Sequence, residues 1–98
     1  MSFYIYILKC SDGSYYTGHT DNLEMRIAAH YEAQILGYTS TRQPVHLVFS
    51  EEFNSRIDSL ERERQIKGWS RKKKEALIRG DWQEIVRLAK SHGSTGLS

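Results

Sequence analysis

Apolar and aromatic side chains run unbroken from Phe3 to Leu8, the polar cluster Ser11-Asp12-Gly13-Ser14 follows, and Tyr15-Tyr16-Thr17 comes next. Two aromatic, β-branched runs around a turn cluster predict a β-hairpin. Side chains alternate along a strand, so Phe3, Ile5 and Ile7 share one face while Tyr4, Tyr6 and Leu8 share the other. Neither face is polar, and both need cover from other elements.

Beyond the hairpin the period lengthens. Asp21 with Glu24 three residues on is a capping-box signal, Leu23, Ile27 and Tyr31 recur at helical spacing, and Leu36-Gly37 suggests a stop, which predicts a helix over about 21–34. Pro44 to Phe49 reads as a third strand, with Pro44 tolerated at its first position because a missing amide donor does least harm there. Ser55 with Asp58 opens a second helix, carrying Ile57, Leu60, Arg64 and Lys67 at helical spacing and ending at Gly68. Ser70 and Gly80 bracket a third, and Asp81 with Glu84 opens a fourth bearing Trp82, Ile85, Val86 and Leu88. Two strands, a helix, a strand and three helices, with no repeat and no internal boundary, predict a single α+β domain over residues 1–90 with a small, mostly antiparallel sheet. The Ser- and Gly-rich residues 91–98 are expected to form a flexible tail.

Composition narrows the classes. A chain of 98 residues buries roughly 60–70% of its unfolded surface, enough for one core without staples. The lone Cys10 forms no internal bridge, and four His with one Cys lack the paired spacing of a structural zinc site, which fits a reducing cytoplasm. No apolar run reaches the ~18 residues of a membrane span, and no basic segment precedes an apolar stretch at the N-terminus, which argues against spanning and secretory readings.

The formal charge of +2 hides an asymmetry. Residues 1–50 carry three basic groups against four acids, whereas residues 62–74 alone carry seven (Arg62, Arg64, Lys67, Arg71, Lys72, Lys73, Lys74) against Glu63. Such a patch suits phosphates, and Trp69 within it can stack on a base or pack beneath lysine stems. All six tyrosines, by contrast, precede residue 39.

Tyr6 and Tyr16, ten apart across a tight turn, converge if they share a face, and a phenol can donate, accept or shuttle a proton; plain packing suits the same pair. Gly18 ends the second strand where backbone can approach a phosphate or adopt a positive φ. Arg26 and His30, four apart, share one face of the first helix, where Arg can fork onto phosphate oxygens and His can act as acid or base; a solvated helix surface explains them equally well. Glu63, flanked by Arg62 and Arg64, is either in surface ion pairs or the hard oxygen ligand that Mg²⁺ needs beside a phosphate.

Together, Tyr4-Ile5-Tyr6, the ten-residue step to Tyr16-Thr17-Gly18, Arg26 and His30 on a helix and Glu63 on a later one resemble the GIY-YIG nuclease domain over about residues 3–79. Tyr4–Leu8 and Glu63–Lys74 are most similar to the small stand-alone bacterial members. The resemblance implies a three-stranded antiparallel sheet flanked by helices and Mg²⁺- (or Mn²⁺-) dependent cleavage of DNA phosphodiesters, as in homing endonucleases, restriction enzymes and excision repair. It assigns Tyr6, Tyr16, Arg26, His30 and Glu63 to the catalytic site, with Glu63 on the metal. Tyr6, its pKa lowered locally and its proton relayed to His30 or solvent, would deprotonate or orient the water. Arg26 would neutralise the phosphate. Gly18, Arg42, Lys67, Trp69, Arg71, Lys72, Lys73 and Lys74 are the expected nucleic-acid contacts.

The departures are Tyr4 for the first motif's glycine, Thr17 for the second motif's isoleucine, Ser40 where relatives often carry an arginine, and no evident counterpart of the asparagine that closes the site in several nucleases. They keep alive a competing expectation, a catalytically weak or inactive nucleic-acid-binding module, alongside a protein–protein adaptor.

Overall fold

A computed structural model of the chain describes residues 1–93, with side chains to residue 89. Strand β1 (Phe3–Lys9) is central and pairs antiparallel with β2 (Tyr15–Thr20) on one side and β3 (His46–Phe53) on the other. That position explains the two-faced hydrophobicity: Ile5, Tyr6, Ile7 and Leu8 are all buried. Burying such a side chain contributes about 1.5–3 kcal/mol. The hairpin turn closes through Cys10 N–H to Ser14 O (2.8 Å), with Asp12 Oδ1 accepting from the Ser14 N–H (3.0 Å) and Gly13 at φ 85°.

Strand β3 starts two residues later than expected and runs on through Ser50, Glu51 and Glu52 to Phe53. Those polar residues have poor strand propensity, but pairing opposite Tyr6, Ile5 and Tyr4 of the central strand overrides it. An irregularity in the pairing falls between Ile7 and Leu8, where the Leu47 N–H donates to the Tyr31 hydroxyl (3.1 Å).

Helix α1 (Leu23–Tyr31) is shorter than its apolar spacing suggests. Asn22 rather than Asp21 caps it, its Oδ1 accepting from Met25 N–H at 3.2 Å. Its other end turns through Ala33 at φ 56°, with Gln34 N–H returning to Ala29 O and Ala33 N–H to His30 O. This left-handed cap position is ordinarily glycine's, so the sequence offers no stop signal until Gly37. Ile27 packs with Tyr6, Leu8, Cys10 and Val45, while Tyr16 and Leu23 lie against that cluster.

Helix α2 (Arg56–Lys67) contacts β1, β2 and β3. The face it buries is Ser59, Glu63 and Ile66, offset from the stripe through Ile57, which is 68% exposed. Two polar residues on the inward face blunt the apolar periodicity that a sequence can display.

The chain divides after Lys67 into two compact units. The second holds α3 (Arg71–Arg79), capped by Ser70 Oγ and ended by Gly80 at φ 74°, and α4 (Trp82–Gly93), which packs on α3. Helix α4 thus includes the first part of the expected tail, and residues 94–98 lie outside the described residues. Among the described residues no helix is long and apolar enough to cross a membrane.

Ala33 supplies a direct check on the cap. Because φ 56° costs an alanine but not a glycine, Ala33→Gly should raise the urea unfolding free energy by about 0.5–1 kcal/mol, net of the extra chain entropy of glycine.

Candidate active site

Tyr6 lies opposite Gly18 in the β1–β2 register. A Cβ on Gly18 would sit 2.5 Å from the Tyr6 hydroxyl and 2.6 Å from Cζ. The phenol of the central strand therefore extends across the edge strand through the space that Gly18 leaves. That is what the glycine supplies here; the positive-φ glycines are Gly13, Gly37 and Gly80.

The Tyr6 hydroxyl meets His30 Nε2 at 2.9 Å, and His30 Nδ1 meets Thr39 Oγ1 at 2.8 Å. His30 and Thr39 are 1% and 2% exposed, so the solvated-surface reading fails for His30. Arg26, one turn earlier, remains exposed, with its positive charge near enough to the phenol to draw its pKa down. Burial nevertheless dominates, helped by Tyr16 and by the charge of Glu63, and pushes the Tyr6 pKa up to about 12. The expected lowering is therefore reversed: Tyr6 is a neutral phenol at physiological pH. Burial, with Arg26 nearby, pushes His30 the other way, down, which keeps the ring neutral.

Tyr16 shares the Tyr6 face. Its ring centroid lies 6.4 Å from that of Tyr6, 5.3 Å from His30 and 6.0 Å from a stacked Tyr38. Arg42 covers the outer side of this stack, its guanidinium carbon 3.8 Å from the Tyr38 ring centroid. It is held there by Asp12 Oδ2 (3.0 Å) and Tyr38 O (2.9 Å), so it pins the 38–42 loop to the hairpin turn.

Strand alternation turns His19, next to Gly18, to the opposite face, where α2 packs. There the His19 Nδ1–H donates to Glu63 Oε1 (2.7 Å), and Lys67 Nζ lies 3.0 Å from Glu63 Oε2. His19 was absent from the sequence-based site; its partner is 44 residues away, and its one local signal is its place beside Gly18. The Glu63 side chain is 11% exposed. Among the described residues no three His, Cys, Asp or Glu gather as a ready-made cage. The donor set therefore fits an ion held by one carboxylate and completed by water and substrate oxygens, as Mg²⁺ commonly is.

Of the expected nucleic-acid contacts, Lys67 is thus on Glu63. Trp69 and Arg71 to Lys74 belong to the second unit. Lys73 Nζ sits 4.8 Å over the Trp69 ring, Arg71 pairs with Glu75 at 3.1 Å, burial pushes the Lys74 pKa down, and Lys72 is exposed.

The family profile described as the GIY-YIG catalytic domain matches residues 2–76. The chain belongs to the GIY-YIG family. A UPF0213 protein of Staphylococcus saprophyticus is 49% identical over 75 residues, covering 76% of this chain and 92% of that one. Solution structures tell the same story: a UPF0213 protein of Bacillus halodurans (TM-score 0.55, 37% identity, 90% of this chain and 97% of that one) and a protein of Enterococcus faecalis (named E. faecalis EF2693; TM-score 0.57, 33% identity, 82% and 85%) share the α+β architecture. GIY-YIG membership makes this a nuclease-family chain, with DNA as the family's substrate class and divalent metal as its general requirement.

Two outcomes follow. Gly18→Ala should cost about 1–3 kcal/mol, because its methyl overlaps a buried ring, and should shift the Tyr6 and His30 NMR resonances together. The unfolded chain takes a proton on His30 near its ordinary 6.5 while the folded chain resists it, so stability should fall as pH drops below about 6.5. Urea midpoints from pH 7.5 to 5 should fall less steeply for His30→Gln than for the wild type.

Proposed function

We propose that the protein is a Mg²⁺- (or Mn²⁺-) dependent endonuclease that hydrolyses DNA phosphodiester bonds in DNA repair or processing. The observation that carries this reading is the buried Tyr6–His30 hydrogen bond with Arg26 beside it, at the strand edge whose other face presents Glu63.

A neutral phenol is a poor base, but a phenol that passes its proton on as it takes another is not limited by its own high pKa. The attacking water loses a proton to Tyr6 Oη while Tyr6 gives its proton to His30 Nε2. The water oxygen bonds to phosphorus as the bond to the leaving oxygen breaks, and that oxygen takes a proton from solvent. Arg26 faces the charge that builds on the phosphate. Tyr16 packs against the Tyr6 and His30 rings and would hydrogen-bond the nucleophile or a phosphate oxygen. Glu63 would hold the divalent ion, which supplies Lewis-acid stabilisation of the phosphate and leaving oxygen when bound. Lys72, the one exposed cation of the α3 run not paired above, heads the candidate DNA contacts, with Gly18, Arg42, Lys67, Trp69, Arg71, Lys73 and Lys74 as the remaining set.

Supercoiled, branched and single-stranded DNA incubated with Mg²⁺ or Mn²⁺ tests this. Tyr6→Phe should lose about 10²–10⁴-fold in rate, and Glu63→Ala should cut at background. Wild-type cleavage no greater than that of Glu63→Ala would sink it. The occupation of both Glu63 oxygens by His19 and Lys67 favours, as the second reading, a catalytically idle DNA-binding module. That module would bind DNA in a salt-sensitive way without cutting, and affinity unchanged by charge reversal at Lys72 and Lys73 would remove it.

A further inference from the structure

The neutral His30 ring has one proton to share between two nitrogens, and both nitrogens have a partner. Nε2 faces Tyr6 Oη at 2.9 Å and Nδ1 faces Thr39 Oγ1 at 2.8 Å. Two proton arrangements satisfy these distances. In one, Thr39 donates to Nδ1 and Nε2–H donates to Tyr6; in the other, Tyr6 donates to Nε2 and Nδ1–H donates to Thr39.

The direction of the proposed proton transfer separates them. Tyr6 is 1% exposed, and the positive charge of Arg26 lies near its oxygen. Its own proton needs an acceptor, and His30 Nε2 is the hydrogen-bond partner in place. The first arrangement puts a proton on Nε2, leaves the phenol proton without an acceptor there and so blocks its transfer to the ring. The second leaves the Thr39 hydroxyl proton to find an acceptor instead, but it is the arrangement in which Nε2 is free to take the Tyr6 proton, as the hydrolytic reading requires.

The loop that carries Thr39 is tied to α1 at this point. Gln43 Nε2 lies within reach of both His30 O (2.7 Å) and Thr39 O (3.1 Å), so one side chain holds the two backbones at a set separation. The Arg42 N–H donates to Thr39 O as well (3.2 Å). Thr39 is thus a fixed acceptor rather than a rotor on a free loop.

We infer that Thr39 is a positioning residue that holds His30 in its Nδ1–H form, leaving Nε2 as the acceptor for the Tyr6 proton. This rests on the hydrolytic reading above and deepens it. When Nε2 takes the proton, the Nδ1–H to Thr39 bond persists unchanged, so the transfer needs no rearrangement on the far side of the ring. In the opposite form, Thr39 O–H and a newly protonated Nδ1–H would point at each other. A second-neighbour hydrogen bond that fixes the imidazole's tautomer is a recurring way to set which nitrogen reacts.

The test is ¹⁵N NMR of the full chain with labelled histidine at neutral pH, on the wild type, Thr39→Val and Thr39→Ser, with amide spectra confirming that each is folded. Expected is a pyrrole-type Nδ1 and a pyridine-type Nε2 for His30 in the wild type, a shift toward Nε2–H or a mixture in Thr39→Val, and restoration in Thr39→Ser. A wild-type His30 protonated on Nε2, or a Thr39→Val ring that keeps Nδ1–H, overturns the inference. In parallel cleavage assays Thr39→Val should fall about tenfold or more in rate constant with little change in KM, and Thr39→Ser should recover most of it. A shifted tautomer with an undiminished rate also overturns the positioning role. If the wild type cuts no DNA at all, the nuclease reading fails while the ring's tautomer is still decided by its nitrogen shifts.

Discussion

The phenol of Tyr6 crossing Gly18 is the constraint on which the site depends. It fixes a glycine on β2, because any Cβ there would occupy the hydroxyl's place. It carries a group rooted in the buried middle of the central strand out to the edge of the sheet, so the hydroxyl has a rigid base and a nearby surface. It also sets where α1 must lie, since His30 has to meet the hydroxyl from the last turn of that helix. A sheet with β1 at the edge would give the tyrosine no strand to reach across and no second layer to hold it.

Burial has opposite effects on the two partners, and the proposed relay depends on that opposition. Removing the ring and the phenol from water disfavours charge on each, which raises Tyr6 and lowers His30. Both are then neutral in the resting state, joined by a hydrogen bond with one proton and one acceptor. Neither alone suits proton abstraction; in the proposed relay the phenol takes a proton as the imidazole receives the phenol's own, and no isolated phenolate forms. The Arg26 guanidinium adds positive charge next to the phenol, favouring whatever negative character the oxygen gains in the proposed transfer.

The hairpin and the convergence of Tyr6 with Tyr16 were legible because alternation and a ten-residue spacing around a tight turn leave little choice. The three helices after β3 were legible from Ser55, Ser70 and Asp81, each of which accepts from the amide three residues on. What escaped the sequence depends on distant chain. His30 reads as a margin residue of an amphipathic helix, and only the 39–43 loop, closing over it with Thr39 and Gln43, makes it a core residue. The inward face of α2 was misjudged because Ser59 and Glu63 look like solvent residues until β2 and His19 are packed against them. The end of α1 was missed because an alanine occupies a position where glycine would have announced the turn.

Glu63 shows why the misjudged face matters. A carboxylate placed on the inward side of a helix costs several kcal/mol unless it is paired, and here each oxygen has a donor. The carboxylate itself is 11% exposed, while the side chains of its partners His19 and Lys67 are 38% and 56% exposed. The anchored member is the anion; the members that face water are the cation and the imidazole. Lys67 reaches it from one helical turn away on a long chain whose ion pair is worth well under ~1 kcal/mol where solvent screens it. Exchanging that ammonium for another positive partner therefore leaves the helix, the strand and the carboxylate where they are. Fixed oxygen and replaceable neighbours are what the proposed single-carboxylate ion site requires, and Glu63 turned inward with Lys67 at the rim meets that requirement.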